Sequence, residues 1–361
     1  MIASRAPGSP RIRGPVLITG GAGFIGTNLA ARLLADGCEV VVFDNLSRPG
    51  VAENLHWLSQ IGDGRLSTCI GDTRDADAVR NEVRRAGCVF HFAAQVAVTS
   101  SLEDPVTDFE VNLRGTLNVL EAIRHSPKRP PLVFTSTNKV YGALPDVALT
   151  AAAGRYQPEE ADIRRFGISE SRPLDFCSPY GCSKGGADQY ILDYAHSYGI
   201  PAVVLRMSCI YGPHQCGNED QGWVAHFLLQ AMRGQPITLY GDGLQVRDIL
   251  YVDDLVEAML LCGENRDELR GRAFNMGGGP GNTVSLLELM DLITRLSGER
   301  PEVRHADWRA GDQRWFVADT RRFGAATGWR PRVDAAQGVS DLYQWFSHAS
   351  ATNRAAGECV A

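Results

Sequence analysis

Short apolar runs alternate with longer stretches whose apolar residues recur at helical spacing. Residues 15–19 form a compact apolar run that stops at Gly20, and 24–35 follow with helical spacing and stop at Gly37. Residues 39–43, 66–70, 89–93 and 132–135 predict further strands, with helices between them near 76–86 and 109–125. This βαβ alternation predicts a parallel sheet covered by helices on both faces. Residues 202–205 read as another strand of that sheet, after a helix that starts near Tyr180.

From Gly212 the pattern changes. Short strands at 237–240, 246–249 and 272–275 mix with helices near 223–233, 253–262 and 285–297, and a last helix is predicted over 335–346. The expected fold class is α/β: a Rossmann-type doubly wound parallel sheet over 15–211, with a smaller C-terminal α+β substrate lobe over 212–348. Residues 143–177, rich in charge and turn formers, read as an insertion, either a surface segment or a substrate lid. Residues 1–14 are polar, contain Pro and Arg, and lack the apolar centre of a signal peptide; they and Ala-rich 349–361 are expected to be flexible tails.

Composition narrows the classes. With 361 residues, 44% hydrophobic and 22% charged, the chain is long enough for one large unit or two lobes. No apolar run approaches the roughly 20 residues of a membrane span, so no membrane association is expected. The formal net charge of -6 argues against general nucleic-acid binding. Nine scattered Cys, without a Cys-x-x-Cys, and eight His form no ligand-spaced cluster, so no metal site is expected. Scattered thiols suggest a reducing, cytoplasmic setting.

Two motifs carry chemistry. Gly20, Gly23 and Gly26 follow a strand and open a helix, the setting in which backbone amides cradle a pyrophosphate. Their G-x-x-G-x-x-G spacing differs from the commoner G-x-G-x-x-G. Asp44 ends the second strand, 18 residues after Gly26, where a carboxylate accepts from ribose hydroxyls and repels a 2′-phosphate. NAD is therefore favoured over NADP, with Arg48 as a counter-argument. Asp72 is placed to meet the adenine edge or to serve the following helix as a cap. Small residues at 92–95 leave room beside the sheet. The candidate cofactor set is Gly20, Gly23, Phe24, Ile25, Gly26, Asp44, Asn45, Ser47, Arg48, Asp72, Thr73, Ala93, Ala94, Gln95, Thr135, Tyr180 and Lys184.

The second motif is Tyr180-x-x-x-Lys184. Ser178 is a plausible helix N-cap and Pro179 a good first helical residue, so Tyr180 and Lys184 fall on one helical face. An ammonium beside a phenol favours the phenolate, giving a base for a sugar hydroxyl near neutral pH. Thr137 ends the fifth strand at the carboxyl edge of the sheet, where ligands bind in such folds.

Together, residues 19–26, Phe134-Thr135-Ser136-Thr137 with Val140-Tyr141-Gly142, and Tyr180-x-x-x-Lys184 resemble the extended short-chain dehydrogenase/reductase family that acts on nucleotide sugars. The resemblance spans about residues 14–348. The strings 134–142, 178–184 and 220–224 look like those of the CDP-tyvelose (CDP-paratose) 2-epimerases. The resemblance implies Thr137, Tyr180 and Lys184 as catalytic residues: Thr137 bonds the reacting oxygen, Tyr180 is the base, and Lys184 holds the nicotinamide ribose and lowers the phenol pKa. It implies epimerisation by transient oxidation to a keto sugar and hydride return to the opposite face, at carbon 2 of a CDP-hexose. Alternatives are carbon 4, a UDP- or dTDP-sugar, a 4,6-dehydratase, or a dinucleotide-sensing scaffold without turnover.

Related dehydratases carry an acid directly after the Thr; here that position is Asn138, with Lys139 next. An amide cannot protonate a leaving hydroxyl, which disfavours dehydration. Arg247 and Arg309 stand where the resemblance places diphosphate-binding arginines, and Gln221 and Trp223 are candidates to frame the base. Thr137, Asn138, Lys139, Gln221, Trp223, Arg247 and Arg309 thus form the candidate substrate set. Cys209 stands where many relatives have Asn, which weakens a side-chain contact there. The resemblance also implies a homodimer or homotetramer, through helices near 109–125 and 180–198.

Overall fold

The computed structural model describes residues 12–309 and 311–356. Five apolar runs form β1 (Val16–Thr19), β2 (Val40–Asp44), β3 (Leu66–Ile70), β4 (Cys88–His91) and β5 (Leu132–Thr137). A hairpin, β6 (Leu149–Ala152) with β7 (Arg155–Pro158), interrupts the alternation before β8 (Ala202–Met207) and β9 (Cys209–Tyr211). The later part supplies β10 (Ile237–Tyr240), β11 (Val246–Tyr251), β12 (Arg272–Met276), β13 (Thr283–Ser285), β14 (Val303–Ala306) and β15 (Trp315–Phe316).

Seven of these strands make one sheet in the order β12-β8-β5-β4-β1-β2-β3. Every pairing in it is parallel, with Thr19 opposite Phe43 on one side and His91 on the other. Strand order reverses at β1, so a crevice opens beyond the carboxyl ends of β1 and β4, the place where open α/β sheets bind ligands. Helix Phe24–Ala35 turns Leu29, Leu33 and Leu34 onto one sheet face, beside Leu255 and Met259 of helix Val252–Glu264. Helices Gly115–His125 and Ser178–Ser197 cover the other face through Val119, Leu120, Ile123 and Ile191.

A smaller lobe is built on β11, flanked by β9, β13 and β15, and on the parallel pair β10–β14. Its core joins Phe227, Leu228, Leu239, Leu289 and Ile293 to Val339, Leu342 and Phe346 of the last helix. Helix Leu286–Ser297 starts from a reciprocal cap: Ser285 accepts from the Glu288 amide and Glu288 accepts from the Ser285 amide.

Several elements differ from the sequence expectation. The strand expected in the smaller lobe at 272–275 is β12, an edge strand of the main sheet paired with β8. Helix Val252–Glu264 likewise packs on the main sheet, so the two units interleave along the chain and a single boundary at 211/212 does not separate them. Ile12, expected in the first tail, is buried in the main core, while 1–11 lie outside the described residues. The last helix runs Ala335–Ala356, beyond the expected boundary at 348, and 357–361 lie outside the described residues. Helix Val51–Ile61 and the β6–β7 hairpin had no separate sequence signal. The helix expected over 109–125 contains a π-helical turn, Glu110–Arg114, between Pro105–Phe109 and Gly115–His125.

Candidate active site

The glycine-rich turn is shaped by close backbone packing. A Cβ on Gly20 (φ +66) would lie 2.6 Å from the Ala93 nitrogen, and one on Gly26 would lie 2.4 Å from the Gly20 carbonyl. The turn closes through the Gly23 amide, which donates to the Gly20 carbonyl at 3.1 Å. Helix Phe24–Ala35 therefore begins against β1 with its first amides facing the crevice, an anion-binding arrangement. Asp44, at the end of β2, accepts from the Ala22 amide at 3.0 Å and the Leu46 amide at 2.9 Å. The cradle and the carboxylate beside it fit a dinucleotide.

A cavity of about 590 Å³ runs from this turn into the smaller lobe. Of the expected cofactor residues, Gly20, Gly23, Phe24, Ile25, Gly26, Arg48, Ala94, Thr135, Tyr180 and Lys184 line it. The others stand outside its wall. Asn45 donates to Asp72 at 2.9 Å, and Asp72 pairs with Arg74 at 2.8 Å, which with the other Arg74 contacts holds its carboxyl far below the usual range. The Ser47 amide donates to the Asn45 side chain. Asp75, not Asp72, caps helix Ala76–Arg85. Thr73 is buried with its hydroxyl close to Gly115. Ala93 packs against Gly20, and Gln95 turns its amide to the Ala97 carbonyl.

Tyr180 and Lys184 project from helix Ser178–Ser197 into the cavity beside Thr137. Ser178 opens that helix at φ +70, and its hydroxyl accepts from the Gly181 amide at 3.2 Å. The Tyr180 amide donates to Ser101 at 3.2 Å. The expectation that Lys184 lowers the phenol pKa is corrected here. Burial pushes Tyr180 up to about 12, with Asp108 acting in the same direction, and only the Thr137 hydroxyl and Arg48 oppose it. Lys184 is itself pulled down to about 7 by burial, despite the carboxylates of Asp188 and Asp108. Its ammonium lies 4.1 Å from the centroid of the Phe134 ring. In this cleft loss of solvent dominates both groups, and the neighbouring charges that act on the phenol are those of Asp108 and Arg48.

Thr137 is fixed from its own turn: it donates to Asn138 Oδ1 at 3.3 Å and accepts from the Lys139 amide at 3.2 Å. Asn138 Nδ2 donates to Gln313 at 3.0 Å. Lys139 points into the cavity, 3.2 Å from the Gly311 carbonyl and 3.6 Å from Asp312. Burial lowers its pKa and Asp312 works against that. Arg247, on β11, pairs with the same Asp312 oxygen at 2.7 Å. Arg309 stacks 3.8 Å over the Tyr240 ring and pairs with Asp220 at 3.3 Å. Trp223 donates its indole N–H to Cys209 at 3.4 Å, and Gln221 accepts from Arg48 across the cleft.

Sequence reasoning missed a buried network behind the pair. Asp108 accepts from Ser183 at 2.5 Å and Asn112 at 3.0 Å, and Asn112 accepts from the Gln95 amide at 2.9 Å. Asn112 sits in the π-helical turn, which no periodicity announces. Asp188 binds Arg206 through two 2.9 Å contacts, and Arg206 donates to Tyr141 at 3.1 Å. The exposed-looking polar residues of these strings gave no sign of burial. Among the described residues no group of three His, Cys, Asp or Glu could hold a metal ion.

Comparison with known proteins agrees with this geometry. The model of the NAD dependent epimerase/dehydratase family matches residues 16–277. CDP-paratose 2-epimerase of Salmonella typhi is 42% identical over 92% of this chain and 99% of its own. UDP-glucose 4-epimerase of Mycolicibacterium smegmatis is 32% identical over 92% and 99%. Among solved structures, the UDP-glucose 4-epimerase of Thermus thermophilus in complex with NAD superposes with a TM-score of 0.77 at 36% identity, covering 93% of this chain and 99% of that one. Streptomyces venezuelae dTDP-glucose 4,6-dehydratase, with NAD bound, gives 0.80 at 28% identity over 94% and 98%. With its glycine cradle, its Thr137, Tyr180 and Lys184, and a family match across most of its length, the chain belongs to the NAD-dependent epimerase/dehydratase family.

Proposed function

We propose that this enzyme inverts carbon 2 of a CDP-hexose. In coarser terms the chain is an NAD-dependent nucleotide-sugar epimerase, in line with the relatives it matches. The observation that carries the choice of epimerisation over dehydration is Asn138. Its amide is spent on Thr137 and Gln313, so no acid follows Thr137 to protonate a leaving hydroxyl. The 42% identity to a CDP-paratose 2-epimerase supports carbon 2 and CDP. The 32% identity to a UDP-glucose 4-epimerase supports the second reading, carbon 4 of a UDP-sugar.

NAD would lie over Gly20, Gly23 and Gly26, with Asp44 beside the ribose and Lys184 at the nicotinamide end. Bound NAD supplies reversible hydride exchange with a sugar carbon. The chain's own groups manage the proton and the pose. Thr137 turns its one hydroxyl hydrogen from Asn138 to the reacting sugar oxygen and aligns that oxygen with the Tyr180 phenol. Tyr180 takes the hydroxyl proton as the carbon is oxidised and returns it on reduction. Lys139, Arg247 and Arg309 hold the diphosphate, so the keto sugar turns while its nucleotide stays anchored. Inversion then needs one acid–base group, used in both directions.

The test is a screen of CDP-, UDP- and dTDP-sugars with separation of equal-mass epimers, followed by mapping of solvent-independent hydride return to a sugar carbon. Conversion only of UDP-sugars, or inversion only at carbon 4, sinks the CDP carbon-2 reading. We also propose a homodimer or homotetramer. Val106, Phe109 and Tyr190 are 69%, 47% and 45% exposed on neighbouring helices, which supports pairing there; light scattering decides it. Cytoplasmic residence is a further proposal, and among the described residues no helix is long and apolar enough to cross a membrane.

A further inference from the structure

His91 is fully buried at the end of β4, does not line the cavity, and has no part in the mechanism above. Both of its ring nitrogens are engaged. Nδ1 lies 2.6 Å from the Thr19 hydroxyl, and Nε2 lies 3.0 Å from the Thr116 hydroxyl. Thr116 has one hydroxyl hydrogen, and it goes to the Asn112 carbonyl at 2.6 Å. The Thr116 oxygen can therefore only accept from the ring, which puts a hydrogen on Nε2. Burial, with the charge of Lys184 acting in the same direction, pushes the imidazole down to about 3 and keeps it neutral. Nδ1 is then bare and accepts from Thr19. Each hydrogen along Thr19, His91, Thr116 and Asn112 has a single place.

Two routes lead from this ring to Lys184. The imidazole stacks on Phe134, with centroids 5.6 Å apart and planes 30° from parallel, and the Lys184 ammonium lies 4.1 Å from the same Phe134 centroid. The second route runs through Asn112. Its carbonyl is held by Thr116, and its side chain donates at 3.0 Å to Ser183, the residue before Lys184. The other end of the chain reaches the glycine turn. Thr19 directly precedes Gly20, and its hydroxyl accepts from the Ala93 amide at 3.3 Å. His91 thus ties the end of β1 to both the ring and the helical turn that hold Lys184.

We propose that His91, as the Nε2–H tautomer, is a positioning residue for the reaction: it fixes the Lys184 ammonium against Phe134 at the nicotinamide end of the cleft. This rests on the NAD-dependent epimerase reading above. His91 takes no part in proton transfer, and it acts through Lys184 alone.

The experiment compares wild type with His91→Asn, His91→Gln and Thr116→Val, all NAD-loaded, on the nucleotide sugar that wild type converts. A Gln amide reaches to the level of Nε2 and can donate to Thr116, whereas an Asn amide stops at the level of Nδ1. The expected result is a kcat lower by about tenfold or more in His91→Asn and in Thr116→Val, with substrate KM and NAD content unchanged. His91→Gln should recover to within about threefold of wild type. Combining His91→Asn with Thr116→Val should cost no more than either alone, because both break one link. A Gln variant no better than the Asn variant overturns the proposal, and so does a loss of NAD or a rise in KM that accompanies the fall in kcat. Should His91→Asn not fold, Thr116→Val decides, and a wild-type kcat there overturns the proposal. Nitrogen-15 NMR of the wild-type imidazole gives a readout without turnover: one hydrogen, on Nε2, from about pH 6 to about pH 9. A hydrogen on Nδ1, or protonation of the ring within that range, overturns the proposal. A wild type that retains NAD but converts no CDP-, UDP- or dTDP-sugar overturns the epimerase reading instead, and the tautomer then stands or falls on the NMR.

Discussion

Lys184 is buried and Tyr180 half-buried in the cleft wall, and loss of solvent acts on them in opposite directions. The phenol is pushed up to about 12 and the ammonium down to about 7, so each is biased toward its neutral form. A neutral phenol beside a weakly held ammonium is a poor base until a ligand reorders the local charge. Replacing Tyr180 by Phe removes the proton acceptor and leaves the glycine cradle intact. Turnover should fall by about 10³-fold or more while co-purified NAD stays at the wild-type level. Full turnover in Tyr180→Phe would mean that another group moves the proton.

Lys184 gives a separate, pH-dependent prediction for the NAD-free protein. Its folded pKa of about 7 lies below the ordinary 10.5, so burial of the ammonium destabilises the fold. Below pH 7 both folded and unfolded lysines are protonated, and the penalty is complete. Between 7 and 10.5 the unfolded chain binds more protons than the folded one, so stability rises with pH. Lys184→Met lacks this dependence. Its advantage over wild type should be largest at pH 6 and shrink steadily toward pH 10, as read by urea denaturation. A constant difference across that range would show that Lys184 does not titrate there.

At the scale of elements, the glycine turn was legible because its requirement is local. Gly20 needs a positive φ, and Gly26 must let the helix touch the strand, with 2.4 Å to the Gly20 carbonyl for any Cβ. Gly26→Ala should therefore forfeit most bound NAD while the sheet remains folded, measured by cofactor content and far-ultraviolet circular dichroism. The Tyr180 helix was legible for a similar reason: Pro179 and the four-residue spacing sit within one segment. The surroundings of that helix were not. Asp188 and Arg206 are 18 positions apart, and Asp108 and Ser183 are 75 apart, so nothing local marks them as partners. Periodicity sees only charged residues there, whereas the fold leaves Asp188 fully buried against a guanidinium. Breaking that pair with Arg206→Met leaves an uncompensated buried carboxylate. It should cost about 3–5 kcal/mol of stability, well beyond a surface ion pair, as measured by chemical denaturation. The phenol pKa failed in sequence for the same reason: the loss of solvent that sets its direction comes from packing between residues far apart in the chain.

At the scale of the whole molecule, the chain leaves the main sheet after β8, builds much of the smaller lobe, and returns. Helix Val252–Glu264 and β12 complete the face and edge that the first two hundred residues leave open. The insertion ties the units further. Arg155 in its hairpin reaches Glu288 at 2.8 Å, and the Tyr156 amide donates to the Leu244 carbonyl at 2.9 Å, beside Gln245. These contacts fasten the hairpin to the smaller lobe. A chain cut after Tyr211 loses Val252, Leu255, Val256, Met259, Leu260, Phe274 and Met276 from the main core. At about 1.5–3 kcal/mol for each fully buried large side chain, that loss is as large as the roughly 5–15 kcal/mol by which a typical domain is stable. β8 would also become an exposed apolar edge, open to pairing with other copies. The truncated chain should therefore be insoluble or unfolded and retain no NAD, although it carries the whole glycine turn together with Thr137, Tyr180 and Lys184. Recovery of a soluble, NAD-containing fragment ending at Tyr211 would show that the dinucleotide unit is contiguous after all. Co-expression with the remaining chain, by contrast, should restore both solubility and bound NAD, because the missing helix and strand can be supplied without a covalent link.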